Sequence, residues 1–371
     1  MSGARRIVPR SSFGFRDLLL TTTALVAAVS LGSKEAAAQL SGLQVSAGQA
    51  SMTNPSATST IINQTSNKAI LNWQSFSIAA GNSVQFKQPS AGAIALNRVL
   101  GANVSNINGS LSANGQVWLV NPSGIFFGAG AQVNVGGLLA TTADIQDSDF
   151  MAGNYKFGIP GNPNASVINQ GHIQVASGGA AILAGARVSN EGLIEADLGT
   201  VVLGGGKTFA VDFSGDKLLS FQVTAPVDQT PTNPDGTPVS ALVSNSGTLS
   251  ANGGTVLLTA RAAKNVIDNV INTSGIIEAK TASMVNGEIV LDGGDTGAVT
   301  VSGSLDASGK NAGETGGTIK VLGDQVALTS TASLDASGDA GGGTVLVGGN
   351  FHGAGPEQNA STTTISAGAV I

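Results

Sequence analysis

Apolar residues recur along this chain in short alternating runs, and the runs repeat. One unit reads Asn-x-Gly-x-Leu/Ile-x-Ala/Val. It appears at Asn169, Gly171, Ile173 and Val175, and again at Asn190, Gly192, Ile194 and Ala196. Later copies run through Asn245, Gly247, Leu249 and Ala251, then Gly275, Ile277 and Ala279, then Gly303, Leu305 and Ala307, then Leu334 and Ala336. Most copies are followed by a second apolar run, at 201–203, 256–258, 289–291, 319–321 and 345–347. Ile173 to Ile194 is 21 residues, Leu249 to Ile277 is 28, Ile277 to Leu305 is 28 and Leu305 to Leu334 is 29. Alternation with period two predicts strands with one buried and one polar face. A coil of 20–30 residues holding two or three such strands is one rung of a solenoid. The chain is therefore expected to be all-β, a right-handed parallel β-helix. On this reading Gly and Asn mark the corners, where positive φ is needed. An antiparallel sandwich would also alternate, but hairpin dipeptides are scarce and the phase of the repeat is constant.

Two regions depart from the repeat. The segment 226–238 carries Pro226, Pro231, Pro234 and Pro238 and cannot sustain a sheet interior, so it reads as a loop protruding from the solenoid. Nine aromatic residues gather between Trp73 and Phe157. A solenoid end must be covered, and these rings suit an aromatic-rich N-terminal cap. The ending from Thr364 to Ile371 reads as a rung in mid-strand and predicts further rungs beyond it.

Composition narrows the class. Gly supplies 52 of 371 residues, charged residues only 11% and apolar residues 42%, which excludes a solvated disordered chain. The formal charge of −6 argues against a nucleic-acid partner. Cysteine is absent, so stability rests on burial and backbone pairing. Arg5, Arg6, Arg10 and Arg16 precede a short apolar run at 18–31, and Ala36, Ala37 and Ala38 offer a small-residue cleavage site. Residues 1–38 therefore read as a signal peptide, cut between Ala38 and Gln39. Its removal takes away five Lys/Arg and two Asp/Glu and leaves a charge of −9.

Catalytic and metal chemistry finds little support. Asp306 and Asp335 occupy equivalent Leu-Asp-Ala-Ser-Gly turns, where a corner Asx turn explains both, although stacking could bring them close enough for a weak Ca²⁺ site. His172 and His352 fit no triad or ligand spacing. Gly204, Gly205, Gly206 and Lys207 lack the spacing of a phosphate loop and read as a rung corner. No catalytic residue, cofactor or metal site is expected.

A longer set of motifs carries a family resemblance. Asn72, Trp73, Phe76 and Ile78 are followed by Val84, Gln85 and Phe86, by Leu96, Asn97, Arg98 and Val99, and by Ile107, Asn108 and Gly109. The series continues from Asn114 through Gly115, Val117, Trp118 and Leu119 into Asn121, Pro122, Ser123, Gly124 and Ile125. This stretch, 39–145, resembles the two-partner secretion domain of filamentous haemagglutinins, and within that family the high-molecular-weight adhesins. The segment from Asp212 to Phe221 resembles one downstream of such domains. Ser123 stands where the family turn usually carries a second Asn, and the upstream Asn-Pro-Asn-Leu motif of the haemagglutinin branch is absent. The resemblance implies export by an outer-membrane β-barrel transporter with periplasmic docking domains, through the periplasm and outer membrane of a Gram-negative bacterium to the cell surface or medium. It divides the chain into a leader (1–38), a secretion domain with its cap (39–160) and β-helix repeats (161–371). The expected function is a non-enzymatic, adhesin-like exoprotein, with host or surface glycans or proteins as candidate ligands. The alternatives are the export module of a larger toxin or enzyme, and a structural surface or matrix protein. Residues 121–125 are the candidate secretion motif. They match a type I turn, expected to orient Phe126 and Phe127 at the capped end.

Overall fold

A computed structural model describes residues 40–213, 219–233 and 236–371. The leader and its cleavage site at Ala38 and Gln39 lie outside the described residues. The described chain forms a parallel β-helix of three long sheets around one apolar column. A representative rung passes through Arg187–Asn190, Leu193–Glu195 and Thr200–Gly205, one strand in each sheet. The sheets contain 9, 11 and 11 strands in that order.

The repeat spacing corresponds to direct stacking. Val84, Leu111, Val133, Ile173, Ile194, Leu249, Ile277, Leu305 and Leu334 sit over one another in consecutive strands of one sheet. All are at most 2% exposed. A parallel column for the next sheet runs Val201, Val256, Ile289, Ile319 and Val345. Each fully buried aliphatic contributes roughly 1.5–3 kcal/mol relative to exposure.

The expected positive φ occurs at one corner of the rung, at Gly178, Leu198 and Gly253, but not at the Asn-x-Gly corner. Neither Asn169, Asn190 and Asn245 nor Gly171, Gly192, Gly247, Gly275 and Gly303 adopt it. The asparagines instead point inward and form a ladder. Asn169 Nδ2 donates to Asn190 Oδ1 at 2.8 Å, and Asn190 Nδ2 to Asn245 Oδ1 at 2.8 Å. Asn245 Nδ2 completes the series on Thr273 Oγ1 at 3.3 Å. The glycines answer a packing constraint. A Cβ on Gly247 would lie 2.1 Å from the carbonyl oxygen of Gly192, and one on Gly275 2.1 Å from that of Gly247.

The N-terminal end is closed by antiparallel pairing. Gln44–Ala47 pairs with Lys68–Trp73, and Ala50–Ser56 pairs with Ser59–Gln64. Pro55 within the outermost strand removes a ladder donor and blunts that edge. Of the clustered rings, Trp73, Phe76, Phe86 and Phe127 fill the first rungs of the column. Of the rest, Phe126 is half-buried outside either core, and Trp118, Phe150, Tyr155 and Phe157 belong to a second one on the outside of the solenoid. There Ile70, Leu96, Trp118, Val120, Leu139, Ile182 and Val202 project from the outer face of one sheet. The helix Asp147–Ala152 and a small antiparallel sheet of Lys156–Phe157, Thr208–Asp212 and Ser220–Ala225 cover them. Phe150, Phe157 and Phe209 are buried beneath that cover. Strands buried on both faces read as continuous apolar runs, as at 117–120 and 201–203. Alternation is regular again at Glu288–Asp292 and over 318–321, where the outer face is only half-buried.

The segment 226–238 leaves the rung, and among its described residues Val227, Thr230 and Pro231 dock back onto the solenoid. Val227 bridges Ala262 and is 2% exposed, and its backbone donates to Arg261 and accepts from Ala263. Thr230 Oγ1 bonds the carbonyl of Val266, and Pro231 is buried. Prolines without donors suit such a strap, because its partners need only its carbonyls and a few N–H groups.

The column makes a direct prediction. Leu249→Lys, Ile277→Lys and Leu305→Lys should each cost about 3 kcal/mol or more by burying an unpaired ammonium. Thr248→Lys, on the outer face of the same strand, should stay within about 0.5 kcal/mol. Chemical denaturation of the four variants checks this, and equal costs on both faces would contradict the register.

Candidate functional site

The 121–125 turn is built from the strand Gln116–Val120 that leads into it. Asn121 is fully buried at 0% exposure. Its Oδ1 accepts the Ser123 N–H at 2.9 Å, and its carbonyl accepts the Gly124 N–H at 3.0 Å, closing an Asx turn inside a β-turn. Its Nδ2 donates to the Asn103 carbonyl at 3.0 Å and to Ser105 Oγ at 2.9 Å. Gly124 has φ +115, which disfavours other residues there. Ile125–Phe127 then joins its sheet between Ser105–Ile107 and Ser166–Asn169. Ile125 and Phe127 point into the column. The turn therefore does not direct Phe126 and Phe127 to the capped end, because the strand after it is an internal one. Outward it offers Pro122 and Ser123, both half-buried, with the Pro122 carbonyl holding the Asn162 N–H at 2.9 Å.

The other motif residues lie in the neighbouring N-terminal rungs. Asn97 is fully buried and accepts the Trp73 indole N–H at 3.0 Å, while its Nδ2 donates to the carbonyls of Ala95 and Trp118. Arg98, on the opposite face of that strand, reaches into the lateral layer. Its Nε meets Asp144 at 2.8 Å, Nη1 meets Asp147 at 2.6 Å, and Nη2 donates to the Ile145 carbonyl at 2.6 Å. Burial works against the guanidinium charge here, but the two carboxylates outweigh it and hold Arg98 above its ordinary pKa. Lys68 caps the C-terminal end of the short helix through the Phe150 and Met151 carbonyls at 3.0 and 3.2 Å. Trp118 stands at the centre of the layer, with ring centroids 4.7 Å from Tyr155, 5.7 Å from Phe150 and 5.9 Å from Phe157. Trp73, Asn97, Arg98 and Trp118 thus lock the first rungs to the lateral cover.

The carboxylates of the repeat are engaged structurally. Asp306 Oδ1 accepts the Ser308 N–H and Asp335 Oδ1 accepts the Ser337 N–H, each at 2.9 Å, as expected of Asx turns. The two are stacked, and lysines lie beside them: Lys280 at 3.5 Å from Asp306 and Lys310 at 2.8 Å from Asp335. Among the described residues, no three of His, Asp and Glu come together as a metal set would require. His172 Nε2 meets Glu195 at 2.5 Å, and His352 stacks edge-on against Phe351. Gly204 and Gly206 make room for the lateral hairpin, since a Cβ on either would strike Phe221 or Val223 within 2.4 Å.

Asp335 offers a pH test. Hydrogen bonds from Lys310 and then Ser337 hold its carboxyl at about 2, well below the ordinary carboxylate range. A depressed folded-state pKa stabilises the fold above the ordinary value near 4, and that contribution is lost as pH falls through about 2. Lys310 is largely exposed, so salt screens the pair. Lys310→Ala should move the Asp335 titration upward, observed by carboxyl NMR. An unchanged midpoint would contradict the assignment.

Comparison with known proteins gives a consistent result. Residues 36–310 match the model of the TPS secretion domain. The solved HMW1 secretion domain from Haemophilus influenzae superposes with a TM-score of 0.75 at 29% identity, covering 90% of this chain and 83% of that one. Two heme/hemopexin-binding proteins of Haemophilus influenzae are similar: one is 32% identical over 231 residues, the other 30% over 243. These alignments cover 61% and 62% of this chain, and the chain spans about a quarter of those relatives' length. Buried Asn97 and Arg98, the 121–125 corner and the lateral aromatic layer all lie within the matched span, and the chain belongs to the TPS secretion domain family.

Proposed function

We propose that this chain is the export module of a larger surface or secreted protein, recognised by an outer-membrane β-barrel transporter through its periplasmic docking domains. The leader 1–38, cut between Ala38 and Gln39, delivers the chain to the periplasm. Residues 39–160 then carry the recognition elements, and residues 161–371 begin the solenoid that is displayed outside. The observation that carries the recognition part is the construction of the 121–125 turn. The fully buried Asn121 side chain is held by Asn103, Ser105 and Ser123, so Pro122 and Ser123 meet a partner in one conformation. Presenting a rigid turn lowers the entropy lost on docking.

The exported remainder is proposed to be a non-enzymatic, ligand-binding protein of adhesin type. The name of the two relatives, heme/hemopexin-binding protein, supports a binding role, with heme or hemopexin as one ligand class beside glycans. A solenoid suits this role, since it extends a binding surface away from the membrane by about 4.8 Å per rung.

Separate variants distinguish recognition from scaffolding. Pro122→Ala/Ser123→Ala should abolish secretion in cells carrying the partner transporter, with the melting temperature of the purified chain unchanged. Asn121→Ala should lower stability by about 2 kcal/mol, because it strands the Ser105 and Ser123 partners. Normal secretion of the double variant, or lost secretion matched by lost stability, would remove the recognition role.

A further inference from the structure

The asparagine ladder continues across an interruption in the repeat, from Asn190 to Asn245. After Ala180–Gly185 the chain crosses one residue and enters Arg187–Asn190 in the next sheet. After Thr200–Gly205 it crosses two residues and enters Thr208–Asp212, which by position should be the following rung. It is not. Thr208–Asp212 turns outward and pairs antiparallel with Ser220–Ala225 and Lys156–Phe157. The strand that stacks on Arg187–Asn190 is Val243–Asn245, reached only after the hairpin and the 226–238 strap. Two β-prone segments therefore compete for one slot, and the wrong one arrives first in sequence.

The matched pair carries its own signature. Val188, Ser189 and Asn190 lie over Val243, Ser244 and Asn245, the same three residue types in register. The valines meet in the column, the serine hydroxyls bond at 2.9 Å, and Asn190 Nδ2 donates to Asn245 Oδ1 at 2.8 Å. The Asn190 amide is fully enclosed; its Nδ2 also reaches the Gly192 and Thr248 carbonyls at 3.2 and 3.3 Å, so a strand lacking an acceptor at the Asn245 position would take away the shortest of its three contacts and leave its two N–H groups to those longer ones. With the two strands aligned at their first residues, Arg187 and Thr208, the triplet of the competing strand over it would be Phe209, Ala210 and Val211, and with the Gly185–Gly205 register carried forward it would be Thr208, Phe209 and Ala210; either way an aliphatic side chain takes the acceptor position.

We propose that the Asn190–Asn245 pair is a specificity-determining contact that selects Val243–Asn245 over Thr208–Asp212 as the next rung and so frees the latter for the lateral layer. The ladder rejects the nearer strand by what it cannot satisfy, which is discrimination by penalty.

The absence of cysteine makes the choice measurable. Ser189→Cys/Ser244→Cys reports the native register by disulfide formation, and Ser189→Cys/Ala210→Cys reports the competing one. Both pairs would be oxidised after refolding from denaturant in chains carrying Asn245→Thr or Asn245→Val, and scored on the protease-resistant fraction. The two replacements share a shape, but only threonine keeps an acceptor, as Thr273 does one rung later. Asn245→Thr should retain the native ratio of 189–244 to 189–210 bonds. Asn245→Val should lower that ratio on the order of tenfold. If Asn245→Val does not refold, Asn245→Ala replaces it, leaving space in place of a clash. Equal ratios for the variants with and without the acceptor would overturn the proposal.

Discussion

Everything in this molecule answers to the distance between rungs. Parallel strands in register lie about 4.8 Å apart, and every residue must tolerate its counterpart above and below at that spacing. Aliphatic side chains tolerate it well, which is why Leu249, Ile277, Leu305 and Leu334 stack without interruption. At the corners the spacing brings backbone against backbone. Gly192, Gly247, Gly275 and Gly303 stack there because each would place a Cβ within 2.2 Å of a carbonyl oxygen in the rung before it. Polar groups inside the column meet the same rule by bonding along the axis, as the asparagines do. The composition reflects this constraint: much glycine, little charge, and β-branched and aliphatic residues in phase.

A stack of identical rungs has no natural place to begin, and the N-terminal third supplies one. Antiparallel strands close the end, Trp73 is tied to Asn97, and Arg98 fastens the segment 144–147 across the outer face. The lateral layer then buries the second face of the early strands, so these rungs are held from inside and outside at once. A unit stabilised in this way can present a fixed turn at Pro122 and Ser123 while the later rungs remain simple repeats. The family motifs thus describe a fastened beginning for the solenoid, and the proposed recognition by a transporter acts on the part least able to rearrange.

The legible part of this design was the part written periodically. Spacings of 21, 28, 28 and 29 residues between inward aliphatics declared the solenoid and placed its column correctly. The asparagine ladder was hidden because Asn-x-Gly is also a turn signature, and only burial separates the two meanings. The lateral layer left a trace in continuous apolar runs such as 117–120, but a run alone does not say what covers its outer face. Arg98 was recognisable as a motif residue, whereas its partners Asp144 and Asp147 lie 46 and 49 residues away. The turn at 121–125 was readable as a turn. Its rigidity was not, since the groups that hold Asn121 come from residues 103 and 105.

Whether backbone contact between rungs dictates the corners is tested most directly at one glycine. Gly247→Ala would set a methyl 2.1 Å from the Gly192 carbonyl oxygen, whereas Gly92→Ala meets nothing within 4 Å. Equilibrium unfolding should show Gly247→Ala losing about 3 kcal/mol or more and Gly92→Ala changing by less than about 1 kcal/mol. A Gly247→Ala chain as stable as Gly92→Ala would mean that the rungs do not meet at this corner, and would contradict the constraint from which the rest of the structure is derived.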